Sequence, residues 1–295
     1  MNALKLHEIP DRVTVSSGNG GLPVIHIRSD FSTAEIYPHG AHVTGFQRHG
    51  EAPLLFMSAA SEFRAEKPIR GGVPVIFPWF GSREGMVAHG FARLTEWDLV
   101  ATSVLPRGWI KLCFQLPTEN PYRITFDVTI GSSLIMELAV CNTGAVPFTF
   151  ETCLHTYFQI GDIRQLRVSG LQGTRYHDQL LAADFTETAE AIRFSAETDR
   201  TYQDTAATVA IIDPVLDRSI IVSKTGSKST VVWNPWIAKS QRMPDFGDDE
   251  YLRMVCVESG NVSENAVTLA PGAESMLTVE VSSFPSTDLI GSRAG

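Results

Sequence analysis

Arginines at 70 and 93 and a histidine at 89 bracket a stretch of aromatics, prolines and glycines: IRGGVPVIFPWFG at 69–81, then HGFAR at 89–93. Pro74 and Pro78 lack an amide donor and restrict the residue before them, so the stretch is not a regular helix. Gly71 and Gly72 let the backbone turn or approach a ligand closely. Trp79, Phe80 and Phe91 can offer flat apolar faces. Arg70 and Arg93 offer planar forks of donors suited to phosphate. A sugar ring, with axial hydrogens on one side and hydroxyls around its rim, is matched by that mixture. An irregular core loop with solvated arginines would use the same residues, so this stretch alone leaves the two readings even.

Two more residues could move protons. His155 lies in ETCLHTYF at 151–158 and Glu258 in VCVESGNV at 255–262. Each is a titratable side chain in an apolar, strand-like run, where a charge needs a partner or faces a cavity. With these residues included, the sequence resembles the hexose-6-phosphate mutarotases, or glucose-6-phosphate 1-epimerases, of the aldose 1-epimerase superfamily. The matching motifs are IRGGVPVIFPWFG, HGFAR, LHTYF, VVWNPW and VCVESGNV, in order between 69 and 262. GAHVT at 40–44 and LAPG at 269–272 extend the likeness over nearly the whole chain.

The resemblance implies an isomerase that interconverts the α and β anomers of a hexose 6-phosphate. Ring opening needs a base for the C1 hydroxyl proton and an acid for the ring oxygen, with separated pKa values: an ionised carboxylate and a protonatable histidine. Glu258 is the candidate base; the valines around it and the Ser259-Gly260-Asn261 turn argue against a glutamate pointing to solvent. His155 is the candidate acid. A lone histidine in an apolar strand is ordinarily a satisfied core residue, and it is the likeness to the family's catalytic histidine that reverses the order. The resemblance also implies a positioning role for His89, a phosphate clamp of Arg70 and Arg93, and a sugar-hydroxyl contact from Asp199. Trp233 furnishes either stacking, a wall of the pocket, or plain core. Many family members carry glutamine just before HGFAR; here Ala88 removes that side chain. The reaction is neither redox nor hydrolytic, so no cofactor and no metal are expected. His39, His42 and His49 lack a familiar ligand spacing.

The bulk numbers set limits on this reading. With 295 residues and 43% hydrophobic content, the chain can bury a large core. A net charge of −9 argues against a nucleic-acid or anionic-membrane surface. It also repels an anionic substrate at long range, so a phosphorylated ligand needs arginines concentrated locally. Asp245, Asp248, Asp249 and Glu250 read as a solvated acidic loop. Cys113, Cys141, Cys153 and Cys256 show no CxxC spacing and read as buried free thiols in a reducing compartment. The start of the sequence has no apolar signal segment, and the run 73–80 is too short to span a bilayer, so a cytoplasmic location is the default. The sequence leaves oligomeric state open, and a monomer is the working expectation.

The elements that must position these residues read as strands. Ile124, Phe126, Val128 and Ile130 alternate with polar residues, as do Leu277, Val279 and Val281. Further strand-like runs lie at 23–27, 97–104, 109–115, 134–140, 148–157, 166–168, 208–212, 219–222 and 230–233. Helical periodicity is confined to 58–66 and 182–190. Many short strands with few helices predict a large antiparallel β-sandwich in one domain over 1–295, with a frayed tail at 286–295. The resemblance implies the more specific galactose-mutarotase-like super-sandwich of two large curved sheets. Two other functions compete: an aldose 1-epimerase for unphosphorylated sugars, and a non-catalytic carbohydrate-binding or sugar-sensing β-sandwich. The presence of both His155 and Glu258 weighs against the second.

Overall fold

Period-two alternation builds most of the molecule. In Tyr122–Ile130 and Leu134–Asn142 the inward residues Ile124, Phe126, Val128, Leu134, Met136 and Leu138 are buried, and Phe126 pairs with Leu138 across the ladder. The computed structural model describes residues 1–285; the tail expected at 286–295 lies outside the described residues. Within them the chain is almost entirely antiparallel sheet, with α-helices only at Asn2–Lys5 and Trp236–Ser240.

A nine-stranded sheet runs in the order Ala191–Ile192, Arg167–Ser169, Val209–Asp213, Arg218–Thr225, Glu274–Pro285, Leu134–Asn142, Tyr122–Ile130, Ile110–Gln115, Asp98–Val104. An eight-stranded sheet runs Ala183–Thr186, Arg175–Asp178, Thr198–Tyr202, Ser229–Asn234, Met254–Asn261, Thr152–Leu154, Val75–Ile76, with Tyr157–Gln159 also paired to Met254–Asn261. The two large sheets expected from the family are therefore present. They are accompanied by a four-stranded meander, Val13–Ser17 to His42–Arg48, and a two-stranded ribbon of Phe148–Phe150 with Val267–Leu269. One cluster of buried apolar side chains runs from Leu4 to Val281.

Local reading failed where tertiary contacts override propensity. Neither 58–66 nor 182–190 is helical. The first is held as turns, with Glu250 accepting the Ala59 amide at 2.7 Å; the second contains the edge strand Ala183–Thr186. The run 148–157 is not one strand but three short pieces, interrupted at Glu151 and at His155-Thr156. Of the thiols, Cys153 and Cys256 are buried, whereas Cys113 and Cys141 are only half-buried. No helix among the described residues is long and apolar enough to cross a membrane.

The interior also holds a lysine. Lys224 is 8% exposed and donates to Ser229 O and Thr230 Oγ1, both at 2.7 Å. It has no carboxylate partner there, and burial lowers its pKa to about 8. A lysine whose folded pKa lies below its unfolded value of about 10.4 destabilises the fold while it must be charged, and this cost disappears as pH rises through that window. Wild-type stability relative to Lys224→Met should therefore rise between pH 8 and about 10.5, by on the order of 3 kcal/mol. Paired thermal melts at several pH values check this; tyrosine titrations common to both proteins cancel in the difference, and a Cys153→Ala background in both removes the one thiol whose charge couples to Lys224.

Candidate active site

The site is built on one face of the eight-stranded sheet. Residues directly opposite in antiparallel strands share a face. Asp199 lies opposite Trp233, Trp233 opposite Cys256, and Cys256 opposite Tyr157, while Val231 lies opposite Glu258. Two-residue alternation puts Cys256 and Glu258 on that same face. His155 reaches it differently. It sits where Thr152–Leu154 breaks off before Tyr157–Gln159, its amide donating to Pro74 O at 3.0 Å. That break turns the imidazole toward the neighbouring strand, and His155 Nε2 lies 3.2 Å from Glu258 Oε1. The glutamate side chain is 1% exposed and the histidine 11%.

Aromatic packing fixes the imidazole. Tyr157 stacks on it with ring centroids 4.9 Å apart and planes 14° from parallel. Trp233 meets it edge-on at 6.1 Å, and His89 at 5.7 Å. Trp233 is thus a wall for His155 rather than an open stacking platform, since the ammonium of Lys239 sits 5.6 Å over its ring. Lys239 also lies 3.6 Å from Asp199 Oδ2. Trp79 is likewise inaccessible: it is buried, with Arg83 at 5.1 Å over its ring.

His89 is held in the left-handed region, φ 63°, and its Nδ1 accepts the Gly81 amide at 3.3 Å. Accepting at Nδ1 assigns the proton to Nε2, the nitrogen left to donate to a ligand. Burial, then the charges of Arg93 and Arg70, pull its pKa down to about 3, so it is a neutral donor.

The two arginines are not equivalent. Arg70 Nε and Nη2 donate to Asp245 Oδ2 at 3.1 and 3.0 Å, and its Nη1 donates to the Tyr157 hydroxyl at 2.9 Å. Arg93 Nη2 donates to Ala88 O at 2.8 Å, while its buried Nε has no partner among the described residues. Arg70 is therefore already neutralised, and Arg93 carries the unsatisfied donor. Burial and the charge of Arg70 lower the pKa of Arg93 to about 10. The expectation of a solvated acidic loop is corrected in part: Asp248 and Asp249 are exposed, but Asp245 turns in to Arg70 and Glu250 is buried.

Ala88, where the family often has glutamine, serves through its backbone carbonyl. The glycines before Pro74 are required by close approach: a Cβ on Gly72, φ 58°, would lie 2.3 Å from Val43 O. His42 and His39 bind the same segment through Gly71 O and Lys67 O, at 2.7 and 2.8 Å, so they brace the arginine-bearing stretch.

The charge states differ from those expected. Burial, then Asp199, raises the Glu258 pKa well above the usual carboxylate range. Burial, then His89, Arg70 and Arg93, lowers His155 well below the usual imidazole range. Without ligand both shifts favour the neutral forms, a protonated Glu258 and an uncharged His155. Sequence reading missed Tyr157, Asp245, Lys239 and Cys256 as neighbours of this centre. Tyr157 alone carried a signal, two residues from His155 inside the same motif. Two cavities, about 550 and 790 Å³, lie over the four-stranded meander instead, lined among others by His26, Glu35 and Phe63. The buried His155–Glu258 pair of the sheet face carries more weight than those volumes, because His26 and Glu35 are 43% and 51% exposed and their ion-pair contact is solvated.

Residues 23–282 match the family model described as aldose 1-epimerase. A protein of Cenchrus ciliaris provisionally named glucose-6-phosphate 1-epimerase is 35% identical over 271 residues, 86% of this chain and 82% of that protein. A protein of Escherichia coli K12 with the same provisional name is 35% identical over 234 residues, 76% of this chain and 78% of that protein. The crystal structure of a provisionally named mutarotase from Salmonella typhimurium superposes with a TM-score of 0.87 at 28% identity, covering 95% of this chain and 96% of that one. Match, fold and motif order agree, and the chain belongs to the aldose 1-epimerase family.

Proposed function

We propose that this chain, acting as a single domain, interconverts the α and β anomers of a hexose 6-phosphate, glucose 6-phosphate foremost. The observation that carries the reading is the buried His155–Glu258 pair, 3.2 Å apart, with two arginines in its electrostatic surroundings. The relatives named for glucose 6-phosphate support the choice of substrate.

The phosphate dianion binds beside Arg93 and Arg70. Burial is the main cause that holds His155 low; the dianion offsets the arginine charges that add to it, and the carboxyl proton of Glu258 passes to Nε2, leaving a carboxylate base and an imidazolium acid. The sugar then separates the pair: Glu258 accepts the C1 hydroxyl proton while His155 protonates the ring oxygen. The C1–O5 bond opens, the aldehyde turns about C1–C2, and the reverse transfers close the ring on its other face. His89 and Asp199 bind hydroxyls, and Trp233 and Tyr157 hold the imidazole in place. Each positioned proton transfer contributes about 10²- to 10⁴-fold. Because the phosphate favours the acid form of His155, free hexoses turn over more slowly.

Exchange NMR between the α and β resonances tests this. Added chain should accelerate exchange of glucose 6-phosphate far above its spontaneous rate and above that of free glucose. Binding without accelerated exchange would leave a sugar-binding protein, and a preference for free hexose would leave an unphosphorylated-aldose epimerase.

A further inference from the structure

We infer that the floor of this centre is also an inhibitory binding site for a thiophilic divalent cation of the zinc class, held by His155, Cys256 and Glu258. The inhibition rests on the anomerase reading above; the binding does not. A ring nitrogen of His155, the Sγ of Cys256 and a carboxylate oxygen of Glu258 all lie within 4.8 Å of one another, on three buried residues. Zinc takes nitrogen and oxygen ligands at about 2.0–2.1 Å and thiolate at about 2.3 Å, in a tetrahedron. Those lengths place a nitrogen and an oxygen ligand of one ion about 3.3 Å apart, and sulfur about 3.6 Å from either. The 3.2 Å between His155 Nε2 and Glu258 Oε1 is already the separation of a chelating pair. The thiol has to close by about 1.2 Å at most.

Donor chemistry and charge agree with the geometry. A mixed nitrogen, sulfur and oxygen set favours zinc over magnesium or calcium, which take oxygen shells. Binding displaces one proton from Cys256 and the carboxyl proton of Glu258; both go to solvent and nothing is oxidised. A dication bound to one thiolate, one carboxylate and a neutral imidazole is net neutral, as a buried complex requires. The Cys153 thiol donates to the other Glu258 oxygen at 3.6 Å and orients the carboxylate. Three protein ligands leave the fourth position to water. The ion occupies the lone pairs that otherwise carry the protons, so it and catalysis exclude each other.

The test uses the purified chain and its Cys256→Ala and Cys256→Ser variants, titrated with Zn²⁺ by calorimetry and with Co²⁺ by absorption, with glucose 6-phosphate anomerisation followed in parallel. One ion per chain, a thiolate-to-cobalt charge-transfer band and loss of anomerisation at the same Zn²⁺ midpoint are expected for wild type. The variants should lose the band and need at least roughly 10²-fold more Zn²⁺ for inhibition, each measured against its own metal-free rate. Failure of wild type to bind, or unchanged inhibition in both variants, overturns the site. Serine keeps the volume, so one folded variant suffices. A metal-free wild type without anomerase activity would refute the anomerase reading instead, and the cobalt band would still decide the ion site.

Discussion

Glu258→Gln should reduce kcat/KM for hexose 6-phosphate anomerisation by roughly 10³-fold or more, with no change in fold. In the proposed mechanism the glutamate takes part in both proton transfers, as acceptor from C1–OH and as store of the proton that His155 delivers, and each transfer is worth about 10²- to 10⁴-fold. Glutamine keeps the shape and retains hydrogen-bonding atoms for His155 and the Cys153 thiol, so no cavity and no unpaired buried charge result. Circular dichroism and the melting temperature should therefore stay near wild type, or rise, since a buried acid with a raised pKa is removed. Saturation-transfer NMR gives the rate above the spontaneous background. A folded variant with near-wild-type exchange would remove Glu258 from the chemistry.

Arg93→Ala should raise KM for hexose 6-phosphate about 10²-fold and leave that for free hexose within about threefold; hydrogen bonds to charged groups are worth about 1.5–3 kcal/mol. The effect should exceed that of losing Arg70. The Arg70 guanidinium already answers Asp245 and Tyr157, whereas Arg93 spends Nη2 on one carbonyl and holds a buried Nε with no partner. An arginine in that state is poised for an anion that the net charge of −9 otherwise repels. Initial rates at two ionic strengths check it, and salt should weaken wild-type affinity more than that of the variant. Equal losses on free and phosphorylated sugar would place the phosphate elsewhere.

The residues by themselves determined the all-β class, through alternation at 122–130 and 134–142, and it was the family likeness of their ordered motifs that marked His155, Glu258, Arg70 and Arg93 as candidates. These are local properties: a pleat with one buried face, and side-chain types at fixed spacing. Only the tertiary structure decided which of them meet. Antiparallel register sets Asp199, Trp233 and Cys256 in one row across three strands, though they are far apart in the chain. A broken strand, which looked continuous from 148 to 157, turns His155 onto Glu258. Burial then reverses the charge states that residue type suggests, because desolvation penalises either ion more than the pair's attraction repays. The same folding draws Asp245 out of an acidic loop to Arg70, so the arginines that look alike in sequence differ in what they can still bind.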